Sequence, residues 1–184
     1  MSETTPRAEV LIVDDTPANL AVLSSILGAA GYQVRPAISG ETALRAVARR
    51  APALVLLDVR MPEMDGYEVC RRLKADPAAR EIPVVFVSAA DDPGEKQQAF
   101  AAGAADYLTK PFEAAEVLAR VATQVALVRQ ERVLAGLRAP VDDLLAEVAA
   151  LEILLDGEGE SSTVAASLTR LREQANLLRG LLAD

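Results

Sequence analysis

The sequence predicts a three-layer α/β domain on a parallel sheet, followed by a helical hairpin. Three observations carry that prediction. Over the first 120 residues, short apolar runs alternate with helical patterns in units of roughly 20 to 25 residues. The runs are apolar almost throughout, as in strands covered on both faces. From about residue 113 no further strand pattern occurs, and leucines recur in steps of three and four.

Taken in order, VLIVDD (10–15) reads as the first strand and ANLAVLSSILGAAG (18–31) as the helix returning from it. YQVRPA is the second strand, and Ser39 reads as the N-cap of the helix in SGETALRAVARR. ALVLLDV (53–59) and DGYEVCRRLKAD form the third unit, IPVVFVSA (82–89) and DPGEKQQAFAAG the fourth. ADYLTKPF (105–112) is the fifth strand, followed by a helix from about Glu113. Gly31 and Gly103 stand where helices should end, positions that favour a left-handed backbone.

Beyond the fifth unit, Leu134, Leu137, Val141, Leu144, Val148, Leu151 and Leu155 follow the spacing of a coiled-coil seam. GEGESS (157–162) breaks the pattern, and Val164, Leu168, Leu171, Ala175, Leu178 and Leu182 resume it. One apolar stripe per helix encloses no core, so a second hairpin is needed, and a homodimeric four-helix bundle is the expectation. The expected domains are 1–128 and 129–184.

Composition narrows the function. The chain has 184 residues, one cysteine and no histidine, which argues against a disulfide and against a zinc site of the usual ligands. The expected setting is reducing and cytoplasmic. No apolar run reaches the roughly 20 residues of a spanning helix, so no membrane partner is expected. Residues 1–138 hold 18 acids and 16 bases, whereas 139–184 hold 9 acids and 3 bases. A tail at net −6 without aromatic residues lacks both the charge and the stacking groups for nucleic acid, and none is expected as a partner.

Acids end the first and third strands: Asp14 and Asp15 after VLIV, and Asp58 after LVLL. Carboxyl ends of parallel strands face the ligand crevice, so these three should converge. Like charges held together call for a cation, and hard oxygens suit Mg2+. One carboxylate there can attack phosphorus, because the metal screens its charge. Lys110, past the fifth strand, and Ser88, ending the fourth, supply a cation and a hydroxyl for phosphoryl oxygens. Singly, each is an ordinary cap, turn or surface residue; the set at one edge of a sheet is not.

VLIVDD, LLDVRMPEMDG, VSA and YLTKPF, in that order over about residues 8–128, resemble the receiver domains of two-component response regulators. The resemblance implies a flavodoxin-like fold with strand order 2-1-3-4-5. It implies Asp58 as phosphoacceptor, taking its phosphoryl group from a sensor histidine kinase or a phosphotransfer protein. Asp14, Asp15 and Asp58 would hold Mg2+ with the backbone carbonyl of Arg60; Ser88 and Lys110 would bind phosphoryl oxygens. Ser88 and Tyr107 take the switch positions, Tyr107 turning inward once Ser88 moves.

Pro140 interrupts the seam. It reads either as a joint between the fifth helix and the hairpin, since a mid-helix proline costs about 3 kcal/mol, or as part of a second resemblance. Ala135, Gly136, Leu137, Arg138, Ala139, Pro140 and Val141 are similar to the phosphotransfer motif of sensor-kinase dimerisation hairpins, with Ala135 where that motif has histidine. The leading expectation is a dimeric response regulator with a non-DNA-binding helical output, and not an enzyme. The alternatives are a decoy of a sensor kinase through the histidine-less hairpin, or a fragment of a longer regulator whose enzymatic domain is missing.

Overall fold

The computed structural model describes residues 7–89, 93–156, 166, 167, 169–171, 173, 174, 177 and 178. The order is β1 (Arg7–Val13), α1 (Pro17–Ala29), β2 (Tyr32–Ala37), α2 (Gly40–Arg49), β3 (Leu54–Asp58), α3 (Gly66–Ala75), β4 (Val84–Ser88), α4 (Pro93–Ala101), β5 (Asp106–Thr109) and α5 (Ala114–Asp156). All strand pairs are parallel, in the order β2-β1-β3-β4-β5. The expected α/β sheet and its order are both present.

The unbroken apolar runs have a direct cause. Every residue of β3 and of β4 is buried. Alternate residues point to opposite faces, and each face has its own core. Leu11, Val13, Val55, Leu57, Val84 and Phe86 belong to one, while Val10, Ile12, Leu54, Leu56, Val85 and Val87 belong to the other. Burying each such side chain contributes about 1.5–3 kcal/mol.

Local signals set the helix ends. Ser39 Oγ accepts from Thr42 N at 3.2 Å and caps α2; Asp65 does the same for Glu68 N at 2.7 Å and caps α3. Gly31 (φ 85°) and Gly103 (φ 96°) take the left-handed conformation that follows a helix. On α5, Arg120 donates to both oxygens of Asp106 at 2.8 and 2.9 Å, tying that helix to β5.

The chain divides into two units, Met1–Val128 and Arg129–Asp184. Of the two readings of Pro140, the joint fails: α5 runs through the proline to Asp156. A proline there forfeits one backbone hydrogen bond and crowds the carbonyl four residues back, a cost of about 3 kcal/mol that the rest of the helix offsets. The GEGESS break lies outside the described residues, as do Val164, Leu168, Ala175 and Leu182 of the second register. Leu171 and Leu178 are helical. Within this unit Arg170 Nη1 donates to Glu147 Oε1 at 2.8 Å.

Candidate functional site

A parallel sheet sends all its carboxyl ends to one edge, and here that edge collects charge. Asp14 follows β1, Asp58 ends β3 and Ser88 ends β4; they are 2%, 7% and 1% exposed, the only buried polar or charged residues among those described. Lys110 follows β5 and spans two of them. Its Nζ donates to Asp58 Oδ1 at 2.6 Å and to Asp14 Oδ2 at 3.0 Å, while its backbone N donates to Ser88 O at 2.7 Å. The Arg60 amide, whose own carbonyl the resemblance assigns to Mg2+, donates to Asp58 Oδ2 at 2.8 Å.

The pattern missed four supporting residues. Asn19 Nδ2 donates to both oxygens of Asp14 at 3.0 and 2.9 Å, and Thr16 N adds a bond of 2.8 Å. An amide in the first turn of the helix after the Asp pair was the available signal. A Cβ at Gly66 would collide with the carbonyl oxygen of Asp58, so the glycine of MDG is what lets α3 start against the acceptor strand. Glu95, in the first turn of α4, accepts from Ser88 Oγ at 3.2 Å and from Arg60 Nη2 at 2.8 Å. Nothing in the spacing of DPGEKQQAF points to it.

Burial pushes the Asp58 carboxyl up, and the hydrogen bond and charge of Lys110 oppose that rise. For Lys110 burial works downward, but hydrogen bonds to Asp58 and Asp14 prevail and hold the ammonium above its ordinary value. The two directions conflict if both are read as the state of the pair. We take the charged pair as the resting state: a neutral Asp58 would strip a half-buried ammonium of one of its two anionic partners.

Not every expected residue joins the cluster. Three carboxylates were expected to converge; Asp14 and Asp58 do, whereas Asp15 is exposed. Among the described residues no three acidic, Cys or His side chains stand close enough to ligate one ion. Lys110 Nζ stands between the buried pair, bonded to both. Asp15 instead lines an open cleft of about 540 Å³ with Arg60, Met61, Asp65, Tyr67 and Glu95. The expected inward turn of Tyr107 also needs correction, because the ring is already inward at 5% exposure, with Lys96 Nζ 5.9 Å from its centre.

The donors nonetheless suit Mg2+. It takes hard oxygens, keeps several waters and needs only one or two carboxylates; two buried ones meet here beside a third at an open cleft.

Residues 10–122 match the response regulator receiver domain. The chain belongs to that family. It is 41% identical over 174 residues to Response regulator PleD of Caulobacter vibrioides, covering 88% of this chain and 38% of PleD. It is 40% identical over 128 residues to a probable cyclic di-GMP phosphodiesterase of Vibrio cholerae, covering 70% of this chain and 29% of that protein. A crystal structure of a putative response regulator from Chloroflexus aurantiacus superposes with TM-score 0.64 at 39% identity, over 66% of this chain and 99% of that one.

Receiver domains take phosphoryl groups from histidine kinases or phosphotransfer proteins, and they bind Mg2+. The chain spans less than two-fifths of either curated relative. The expectation of a non-enzyme is overturned by the second, whose name is that of an enzyme and which aligns with 70% of this chain. No described helix is long and apolar enough to cross a membrane.

Proposed function

We propose that this chain is a response regulator whose Asp58 accepts a phosphoryl group from a phosphohistidine on a sensor kinase or phosphotransfer protein. The supporting observation is the Lys110 bridge, at 2.6 Å to Asp58 and 3.0 Å to Asp14. An oxygen of Asp58 attacks phosphorus; the new P–O bond forms as the P–N bond breaks, and the departing imidazole keeps the electron pair and takes a proton. Asp14, Asp58 and the Arg60 carbonyl would hold Mg2+, with Asp15 reached from the cleft through a bound water, and the ion would screen the acceptor charge from the incoming phosphoryl group. Lys110 neutralises charge on the phosphoryl oxygens without moving far, since its Nζ already touches the acceptor. Ser88 donates its hydroxyl to the same group, and Tyr107, beside Phe86 on β4, would register the shift of Ser88.

Residues 129–184 act in this reading as a dimerisation and output region that does not bind DNA. Its support is Leu134, the first leucine of the register, which is 60% exposed and which a second copy would cover. Incubation with labelled acetyl phosphate and Mg2+ tests the acceptor. The label is expected on wild type, and absent with a chelator or in Asp58→Asn. A labelled Asp58→Asn sinks the assignment.

A further inference from the structure

Glu95 touches three residues outside its own helix. Its Oε1 accepts from Arg60 Nη2 at 2.8 Å, its Oε2 from Ser88 Oγ at 3.2 Å, and its backbone carbonyl from Tyr67 OH at 3.3 Å. We propose that Glu95 is a resident stand-in for the phosphoryl group: it occupies Arg60 and Ser88 in the resting protein and yields both when Asp58 is phosphorylated, freeing the first turn of α4. The proposal deepens the phosphoacceptor reading and rests on it.

The geometry supports an exchange. Residue 60 reaches both anions, with its amide on Asp58 Oδ2 at 2.8 Å and its guanidinium on Glu95. A guanidinium and a hydroxyl are both donors that a phosphoryl group recruits. That group carries about −1.5 to −2 charges against the single charge of a carboxylate, so both donors gain by changing partner, and Glu95 is repelled. Arg60 is 73% exposed, which keeps its pair with Glu95 weak and exchangeable. Release would cost the start of α4 both side-chain contacts made by Glu95 and leave only the one to its backbone carbonyl. It would also reach the neighbouring Lys96, which lies over the Tyr107 ring. A ligand shifts an equilibrium only through contacts that differ between its states, and these differ.

The test titrates beryllofluoride with Mg2+ into the full chain by calorimetry, for wild type, Glu95→Gln, Arg60→Met, the double variant and Asp58→Asn. Glu95→Gln is expected to bind about two- to fivefold tighter, because the competing anion is gone. Arg60→Met is expected to bind more weakly, and to lose more in the Glu95→Gln background than alone, since there Arg60 no longer has to leave a partner. Glu95→Asp, which keeps the charge but shortens the reach, should fall between wild type and Glu95→Gln. A purely structural Glu95 could weaken binding but not tighten it. Binding by Glu95→Gln equal to or weaker than wild type overturns the proposal while leaving the acceptor in place. Equal binding by wild type and Asp58→Asn overturns the phosphoacceptor reading itself.

Discussion

Helix α5 carries apolar residues in steps of three and four along its length, but they meet two environments. Near its start Val117 and Val121 are 1% and 0% exposed, in the core with Ile12, Leu56 and Leu108. Further on, Leu127 and Leu134, seven residues apart on one face, are 46% and 60% exposed. The lesson is that spacing defines a face, and burial depends on what else the chain brings to it. The sheet covers the first face; the second stays open until something covers it.

The sharpest way to break this comparison is to place a charge on each face. Val121→Asp buries an unpaired carboxylate against the sheet and should cost at least about 3 kcal/mol, or prevent folding. Urea denaturation reads the loss, and a cost below about 1 kcal/mol would mean that the core does not depend on this contact. Pro140→Ala probes the far end. It restores a backbone donor inside a helix and should raise helix stability by up to about 3 kcal/mol, seen as added far-ultraviolet ellipticity and a higher melting temperature. No gain would mean that the helix is not continuous there in solution.

Leu134→Asp comes next. If a second copy covers the open face, sedimentation should show wild type at twice the 19.5 kDa chain mass and the variant shifted toward monomer. The lost burial is about 1.5–3 kcal/mol per copy. A wild-type monomer would leave the stripe without its proposed partner.

The smallest effect belongs to the enclosed side. Cys70 is fully buried, and burial raises its thiol above the ordinary 9.0. A raised folded value means that the neutral thiol contributes stability below 9.0, and that this is lost as pH rises through the higher value. Iodoacetamide at neutral pH should therefore modify Cys70 on the order of 100-fold more slowly in the native protein than in urea. Equal rates would show that this core opens freely.

What was legible follows the same division. Strands β3 and β4 could be read because both their faces are enclosed, which leaves no polar position to blur the run. Ser39 and the two left-handed glycines could be read because their reasons are local. The edge that collects Asp14, Asp58, Ser88 and Lys110 could be anticipated, since parallel strands deliver their ends together. The side-chain geometry there could not. That Lys110 spans the buried pair while Asp15 faces the cleft depends on how each loop leaves its strand, and the approach of Glu95 depends on how α4 is rotated against β4. Pro140 misled for a related reason: a local penalty of about 3 kcal/mol suggests a break, but neighbouring turns can outweigh it.

The account depends above all on Asp58 as the acceptor of a phosphoryl group. The most direct measurement is to phosphorylate the protein with acetyl phosphate and Mg2+, reduce it with borohydride and map the product by mass spectrometry. Reduction of an aspartyl phosphate yields homoserine, and the account predicts it at position 58. Conversion at Asp14, Asp15 or another aspartate, or none at all under conditions that label a control receiver domain, would contradict it.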